Sequence, residues 1–312
     1  MSSQGTLISN VELEEVDKDV YGAKPPHESK ETEEATPARK FVGAVQTVFL
    51  VFTGLVVLVP IFAIFLATFQ SGKEIMRNGI SMDIDWSTLN LDSYVMLFTD
   101  SGDYFRWFGN SLFLTVLQVV GTLAVSAFVA YGFAMYDFKG KTAAFVVVLL
   151  LLSTPFEMLM LPLYVQVNAW GMENTYAIIV LPFLASATTI FFFRQYFSGL
   201  PKELIEAGRV DGVTEYGIFF RLIVPISTPA FAAMGILNGM LAWNNMLWPL
   251  LVLRDQSKFT LPIGLNSLLT PYGNNYDLIL IGAFFSLLPI LILFIAFQRF
   301  FVEGMTAGAV KA

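Results

Sequence analysis

Six long apolar segments constrain the fold of this chain more than any other feature of its sequence. Each is long enough to cross a bilayer as a helix, which takes about 20 apolar residues, and none shows the alternation of a lipid-facing β-strand. Only 14% of the residues are charged, against about 25% in a soluble domain. The sequence therefore predicts an all-α membrane protein with six transmembrane helices, at about residues 41–69, 110–136, 143–165, 174–197, 229–253 and 278–301.

Basic residues near the ends of these segments predict their orientation. If the N-terminus is cytoplasmic, ten Lys and Arg residues flank the spans on the inner side and five on the outer side. Because basic residues are enriched in cytoplasmic connections, we expect a multi-pass protein of the cytoplasmic membrane with both termini inside. The inner set is Arg39, Lys40, Lys139, Lys141, Arg194, Lys202, Arg209, Arg221, Arg299 and Lys311, and the outer set is Lys73, Arg77, Arg106, Arg254 and Lys258.

The first 40 residues differ in composition from the rest of the chain. They hold nine acidic and five basic residues, three prolines and few apolar residues, a composition that does not bury enough apolar surface to fold. We expect residues 1–40 to form a disordered acidic cytoplasmic tail, followed by a transmembrane domain at residues 41–312. The tail is either a solvated tether or a segment that binds a partner.

The sequence lacks most of the residues that catalysis or metal binding needs. It contains no cysteine, and its single histidine, His27, lies in the acidic tail. A Ser-His hydrolase or a zinc enzyme would therefore lack its usual residues. A membrane enzyme would also need a nucleophile–base pair or metal ligands at the bilayer edge, so we expect no catalytic residue, metal or cofactor in this chain.

The inner connection at residues 198–228 is polar and has the pattern of two short helices joined by a turn. Pro201 can occupy the first position of a helix, and Gly212 can adopt the positive φ of a tight turn. Thr214 is a suitable N-cap for a second helix through about residue 222, which we expect Pro225 and Pro229 to end. Such an element is either a docking surface for a soluble partner or an interfacial helix that lies on lipid headgroups.

This connection closely resembles the EAA loop of ATP-binding-cassette importer permeases. That family has the pattern Glu-Ala-Ala, three residues, Gly, nine residues, Ile, one residue, Leu-Pro, and every spacing is kept here. The matching residues are Glu206-Ala207-Gly208, Gly212 and Leu222-Ile223-Val224-Pro225. Three identities differ, at positions 208, 222 and 224, and Gly208 is expected to weaken the first helix by about 1 kcal/mol relative to alanine.

The resemblance extends from about residue 41 to the C-terminus and is closest to the sugar-importer branch, specifically to the six-span partner of the maltose-type permease pair. It implies a heterodimer with a second permease subunit, two ATPase subunits that bind ATP and Mg, and an extracytoplasmic solute-binding protein. No nucleic-acid partner is expected. Supporting segments lie at residues 107–112, 161–164, 193–197, 243–245 and 306–311.

The resemblance also assigns residues to roles. It implies import of a sugar or oligosaccharide by alternating access, with the ATPase subunits gripping the EAA loop through Glu206, Ala207, Gly208, Asp211, Gly212 and Pro225. A peptide or amino-acid permease of the same class remains an alternative. An ion-coupled secondary transporter is a further alternative, which would require ionisable residues clustered at mid-membrane and often an internal repeat.

Polar and aromatic residues inside the apolar spans are candidates for solute contact, since amides bind hydroxyl groups and aromatic faces stack on sugars. The alternative is that they join neighbouring helices by hydrogen bonds. Glu157, near the outer end of the third span, is either functional or a hydrated interfacial acid. The leading candidates are Asn238, Trp243, Asn244 and Asn245 on the fifth span, followed by Gln118, Ser126 and Tyr131 on the second.

Overall fold

The computed structural model describes residues 37–79, 89–99, 102–269 and 275–309, and it is helical, with no β-strand within these ranges. The predicted all-α class is therefore confirmed. In chain order the α-helices are α1 (Pro37–Ala67), α2 (Gly72–Asn78), α3 (Asp92–Thr99), α4 (Gly102–Met135), α5 (Lys141–Leu152), α6 (Phe156–Ala169), α7 (Tyr176–Val180), α8 (Ala187–Ser198), α9 (Glu203–Val210), α10 (Glu215–Ile218), α11 (Val224–Ile226), α12 (Thr228–Trp243), α13 (Leu247–Val252), α14 (Leu261–Ser267) and α15 (Tyr276–Ala309).

Three of the described helices are long and apolar enough to cross a membrane alone: α1, α4 and α15. Three bent pairs of helices pass the same criterion together, so the described residues provide up to six spans. The bends are 102° between α5 and α6, 42° between α7, extended by a 3₁₀ turn, and α8, and 78° where the stretch from α10 to α11 meets α12.

The third predicted span, residues 143–165, is interrupted by the sharpest of these bends. The hydroxyl groups of Ser153 and Thr154 donate to the carbonyls of Leu149 and Leu150, which competes with the regular helix pattern. Pro155 follows and has no N–H to continue the helix. The segment is thus two helices, α5 and α6, and Glu157 lies exposed in the first turn of the second.

Other predicted boundaries also differ from the structure, and α4, for example, begins eight residues before the predicted start of the second span. The fifth segment, residues 229–253, contains α12 and α13, which are separated by residues 244–246. Helix α1 begins at Pro37, four residues inside the stretch expected to be disordered, because proline suits the first position of a helix. The remainder of the acidic tail, residues 1–36, lies outside the described residues.

The chain divides into two compact units, residues 1–58 and 59–312. Within the first, the described part of α1 exposes most of its apolar side chains; Phe41 and Leu50, for example, are exposed. Within the second, α4 is the central helix, and it packs against α8, α12 and α14. Helix α15 packs against α12 on the same unit.

Side chains at the start of α4 hold the connection at residues 253–260, between α13 and α14, which we call the outer connection because it lies on the predicted outer side. The indole N–H of Trp107 donates to the carbonyl of Gln256 at 3.0 Å. The amide of Asn110 donates to the carbonyls of Ser257 and Phe259, each at 2.9 Å. These bonds explain the polar and aromatic residues of the 107–112 segment, and they fix the connection that precedes α14 to the outer end of α4.

Candidate functional site

The resemblance points to the stretch from α9 to α11, residues 203–226, which we call the coupling element. Helix α9 ends in a Schellman turn, in which the N–H of Gly212 donates to the carbonyl of Arg209 and the N–H of Val213 donates to that of Gly208. Gly212 has φ of +72°, as predicted. Thr214 caps α10 by accepting from the N–H of Gly217 at 3.2 Å, also as predicted.

The second helix of the coupling element is longer than expected, and Pro225 does not end it. A π-helical turn at Phe219–Ile223 joins α10 to α11, and the N–H of Val224 donates to the carbonyl of Phe219. This wider register lets the helix continue past Pro225, whose missing N–H would interrupt a regular α-helix. The helix instead ends at Ser227, where the chain bends into α12.

One face of the coupling element is buried against the membrane helices. Ile205 of α9, and Ile218 and Ile223 of the second helix, share a core cluster with Phe193 and Phe197 of α8. Each such side chain contributes about 1.5–3 kcal/mol when it is withdrawn from water. These apolar contacts therefore keep the element attached to the helices of the second unit.

Gly208 belongs to this buried face. Its position faces the second helix of the element. A Cβ built on Gly208 would lie 3.1 Å from side-chain carbons of both Ile218 and Leu222. Glycine therefore allows the two helices of the element to approach each other closely, which offsets its low helix propensity.

The opposite face of α9 is free within the described residues. It consists of Glu203, Glu206, Ala207 and Val210, which we call the docking face, and all four are exposed. Val210 is 87% exposed, unusual for a β-branched residue beside a packed core. Asp211 and Gly212 are exposed at the end of the same helix, and neither Glu206 nor Asp211 forms an ion pair within the part of the chain described.

A polar cluster fastens the coupling element to the end of α4. The guanidinium of Arg209 donates from Nε to Glu215 Oε1 at 2.7 Å and from Nη2 to Oε2 at 3.4 Å. The hydroxyl of Tyr136, directly after α4, donates to the same carboxylate. The Glu215 carboxylate therefore accepts all three bonds, one from Tyr136 and two from Arg209.

Tyr136 and Glu215 were not among the site residues predicted from the sequence. Arg209 and Glu215 are separated by a turn, and only the Schellman geometry brings their side chains together. Tyr136 is distant in sequence and reaches the pair because α4 ends beside α10. One feature of the sequence could have drawn attention to Glu215: it directly follows the N-cap Thr214, and the helix dipole favours an acidic residue at that position.

Substituting Gly212 by alanine is expected to weaken the turn of the coupling element. An L-residue at φ of +72° costs about 1–2 kcal/mol, and no atom lies within 4 Å of the new Cβ, so crowding is not the cause. We expect the amides of residues 203–218 to exchange hydrogen about five- to thirty-fold faster. Asparagine, which tolerates this conformation better, should cost less. Exchange in the alanine variant at the wild-type rate would contradict this account of the turn.

The polar side-chain atoms of Asn238 and Trp243 form hydrogen bonds to neighbouring helices. Asn238 is buried and donates to the hydroxyl of Thr189 in α8 at 3.1 Å. The indole N–H of buried Trp243 donates to the carbonyl of Ser286 in α15 at 3.1 Å. Both side chains thus join α12 to neighbouring helices in this conformation.

Asn244 and Asn245 lie at the break between α12 and α13. Asn244 is exposed, and among the described residues its side-chain amide donates only to the carbonyl of Met240 in the preceding turn. Asn245 is half-buried. They are the members of the leading set most accessible to a solute.

The weaker candidates on α4 are all buried. Ser126 donates to the carbonyl of Leu184 at 3.3 Å, and Tyr131 packs on Phe219 of the coupling element. Gln118 is 7% exposed. No group of three metal-ligating side chains occurs in the described part of the chain.

Comparison with known proteins supports the architecture and the resemblance. Residues 122–307 match the family described as the binding-protein-dependent transport system inner membrane component. The arabinooligosaccharides transport system permease protein AraQ of Halalkalibacterium halodurans is 49% identical over 265 residues, 85% of this chain and 95% of that protein. The lactose transport system permease protein LacG of Rhizobium radiobacter is 41% identical over 204 residues, 65% of this chain and 74% of that protein.

A solved structure shares the fold. It is a chain from the crystal structure of a bacterial ABC transporter involved in the import of the acidic polysaccharide alginate, with a TM-score of 0.71 and 20% identity, and the match covers 85% of this chain and 98% of that one. The family match extends over more than half of the sequence and contains the whole coupling element. The chain therefore belongs to the binding-protein-dependent transport system inner membrane component family, and is a permease subunit of an ABC transporter.

Proposed function

We propose that this chain is one membrane subunit of an importer that moves a sugar or oligosaccharide into the cell by alternating access, driven by ATP hydrolysis on partner subunits. Its relatives named above carry arabinooligosaccharides and lactose in their names, which supports a carbohydrate. The observation that carries the proposal is the two-sided coupling element, with one face buried on the spans and the docking face exposed.

The side chains of the docking face indicate what kind of ATPase surface would bind it. An exposed Val210 is flanked by Glu203 and Glu206, and small Ala207 permits close approach. A complementary ATPase surface has an apolar hollow for the valine and basic side chains around it, as in recognition of a helix in a groove. We therefore assign Glu206 to the ATPase contact, with Asp211 and Gly212 beside it at the turn.

The mechanism requires the two ATPase states to bind two pore states differently. ATP moves the pore only if the closed ATPase dimer prefers the outward-open form. Reversing a population from 1:99 to 99:1 takes roughly 5.5 kcal/mol of preference. The packing of Ile205, Ile218 and Ile223 on the spans lets the element transmit such a force without detaching.

The remaining assembly follows from this role. A second permease subunit completes the pathway, two ATPase subunits bind ATP and Mg, and an extracytoplasmic binding protein delivers the solute. Both termini lie in the cytoplasm, on the same side as the coupling element. Asn244 and Asn245, at the break after α12, are the residues we assign to solute contact, while Asn238 and Trp243 hold α12 in place.

Purification of the tagged chain in mild detergent, with mass spectrometry of the proteins that accompany it, tests the proposal. We expect a nucleotide-hydrolysing subunit and a second permease. Uptake of radiolabelled oligosaccharide should continue when the proton gradient is collapsed and ATP is maintained. Uptake that stops under this treatment, or accumulation of solute by the isolated chain in vesicles, would refute an ATP-driven assembly; labelled peptide taken up in preference to sugar would refute the substrate class.

A further inference from the structure

Apolar packing holds the coupling element against the neighbouring helices, but it does not by itself fix the orientation of the element. The buried face consists of aliphatic and aromatic side chains such as Ile218 and Phe219, and the hydrophobic effect that stabilises it is non-directional. A helix held only in this way can tilt or slide on its support. An element that transmits force in a defined direction needs directional interactions such as hydrogen bonds.

The cluster of Tyr136, Arg209 and Glu215 supplies such bonds. It joins three places: the end of α4, the end of α9 and the start of α10. The Arg209 guanidinium approaches Glu215 through two nitrogens and lies 6.0 Å from the centroid of the Tyr136 ring. Each member therefore contacts the other two. Because the ion pair is nearly half-exposed, it adds little to stability.

Helix α4 connects this cluster to the opposite end of the helix bundle. Its 34 residues span about 50 Å, and Tyr136 continues its hydrogen-bond pattern through the carbonyl of Gly132. At its outer end, Trp107 and Asn110 hold the connection that precedes α14. One helix thus touches the coupling element at one end and the outer connection at the other.

We propose that Tyr136, Arg209 and Glu215 form a positioning latch that makes α4 and the coupling element move as one body. Movement of the docking face then displaces α4 along its length and reaches the outer connection. The latch rests on the proposed function, since it needs an ATPase to drive it. It is a positioning device and contacts neither nucleotide nor solute.

Tyr136→Phe in the assembled importer, reconstituted in liposomes, tests the latch. This change removes one hydroxyl and keeps the ring. We expect ATPase subunits to remain bound and ATP hydrolysis to continue, while the number of solute molecules imported per ATP falls about five-fold. Glu215→Gln, which keeps an acceptor for the tyrosine but loses the ion pair, should lower the same ratio by a smaller factor.

Tyr216→Phe is the matched control. Tyr216 lies on the same element, stacks on Phe128 and is 67% exposed, and its hydroxyl makes no hydrogen bond within the described residues. Its removal should leave the ratio unchanged. An unchanged ratio in Tyr136→Phe, or loss of the ATPase subunits from that variant, would overturn the latch. Failure of the wild-type chain to bind an ATPase would instead refute the proposed function.

Discussion

Glu206→Lys is expected to abolish uptake without preventing insertion of the chain into the membrane. Glu206 is exposed on the docking face, and its carboxylate forms no hydrogen bond or ion pair within the described residues, so its replacement leaves the packing of the coupling element intact. If the partner surface is basic around the valine hollow, the new lysine places like charges in contact, which costs several kcal/mol. This is comparable with the roughly 5.5 kcal/mol needed to reverse the pore equilibrium.

Two measurements test this prediction. Uptake of labelled oligosaccharide measures transport, and quantification of the chain in isolated membranes measures insertion. Asp137→Lys makes the same charge reversal on the same end of the protein. It removes one surface ion pair with Lys141, at 3.0 Å, and leaves the docking face unchanged, so uptake should persist. Normal uptake with Glu206→Lys would show that the ATPase contact lies elsewhere.

Gly264→Ala is expected to destabilise the outer half of the protein strongly. A Cβ at this position in α14 would lie 2.1 Å from two carbons of the Trp107 ring. The indole is 1% exposed and its N–H is bonded to the carbonyl of Gln256, so the ring has nowhere to move without losing that bond. Overpacking of a core costs about 1–3 kcal/mol and occasionally more, and a rigid buried indole places this site at the upper end.

Thermal unfolding of the detergent-purified protein provides the measurement. We expect a clear fall in the unfolding temperature and a reduced yield of folded chain. Gly109→Ala serves as the control, because it makes the same change in α4, where no atom lies within 4 Å of the new Cβ. It should be neutral or slightly stabilising, since alanine favours helix. Equal stability of the two variants would contradict the close contact of Gly264 with Trp107.

Local rules predicted much of the coupling element from the sequence. Gly212 and Thr214 act through their own conformational and capping preferences, which need no knowledge of distant residues. The π-helical turn before Pro225 was not predicted from local rules, and it carries the second helix past that proline. Gly208 was expected to allow another segment to approach closely, and the segment that does so is the second helix of the same element.

The roles of the polar residues in the spans depend on tertiary contacts. An asparagine such as Asn238 reads the same in a sequence whether it faces a pore or a neighbouring helix, and only the position of Thr189 decides that it bonds to α8. The bend near Pro155 could be expected as a kink, but its angle of 102° depends on how α5 and α6 pack. The same applies to Tyr136, which acquires a role only because of where α4 ends.

The attachment of the outer connection to α4 leaves that connection unusually free to change its sequence. Trp107 and Asn110 bind the main-chain carbonyls of Gln256 and Ser257, which every amino acid possesses. Substitutions at these two loop positions would therefore preserve the anchor while altering the side chains shown to the exterior. Evolution can therefore vary the side chains of this surface without changing the bonds that hold its main chain.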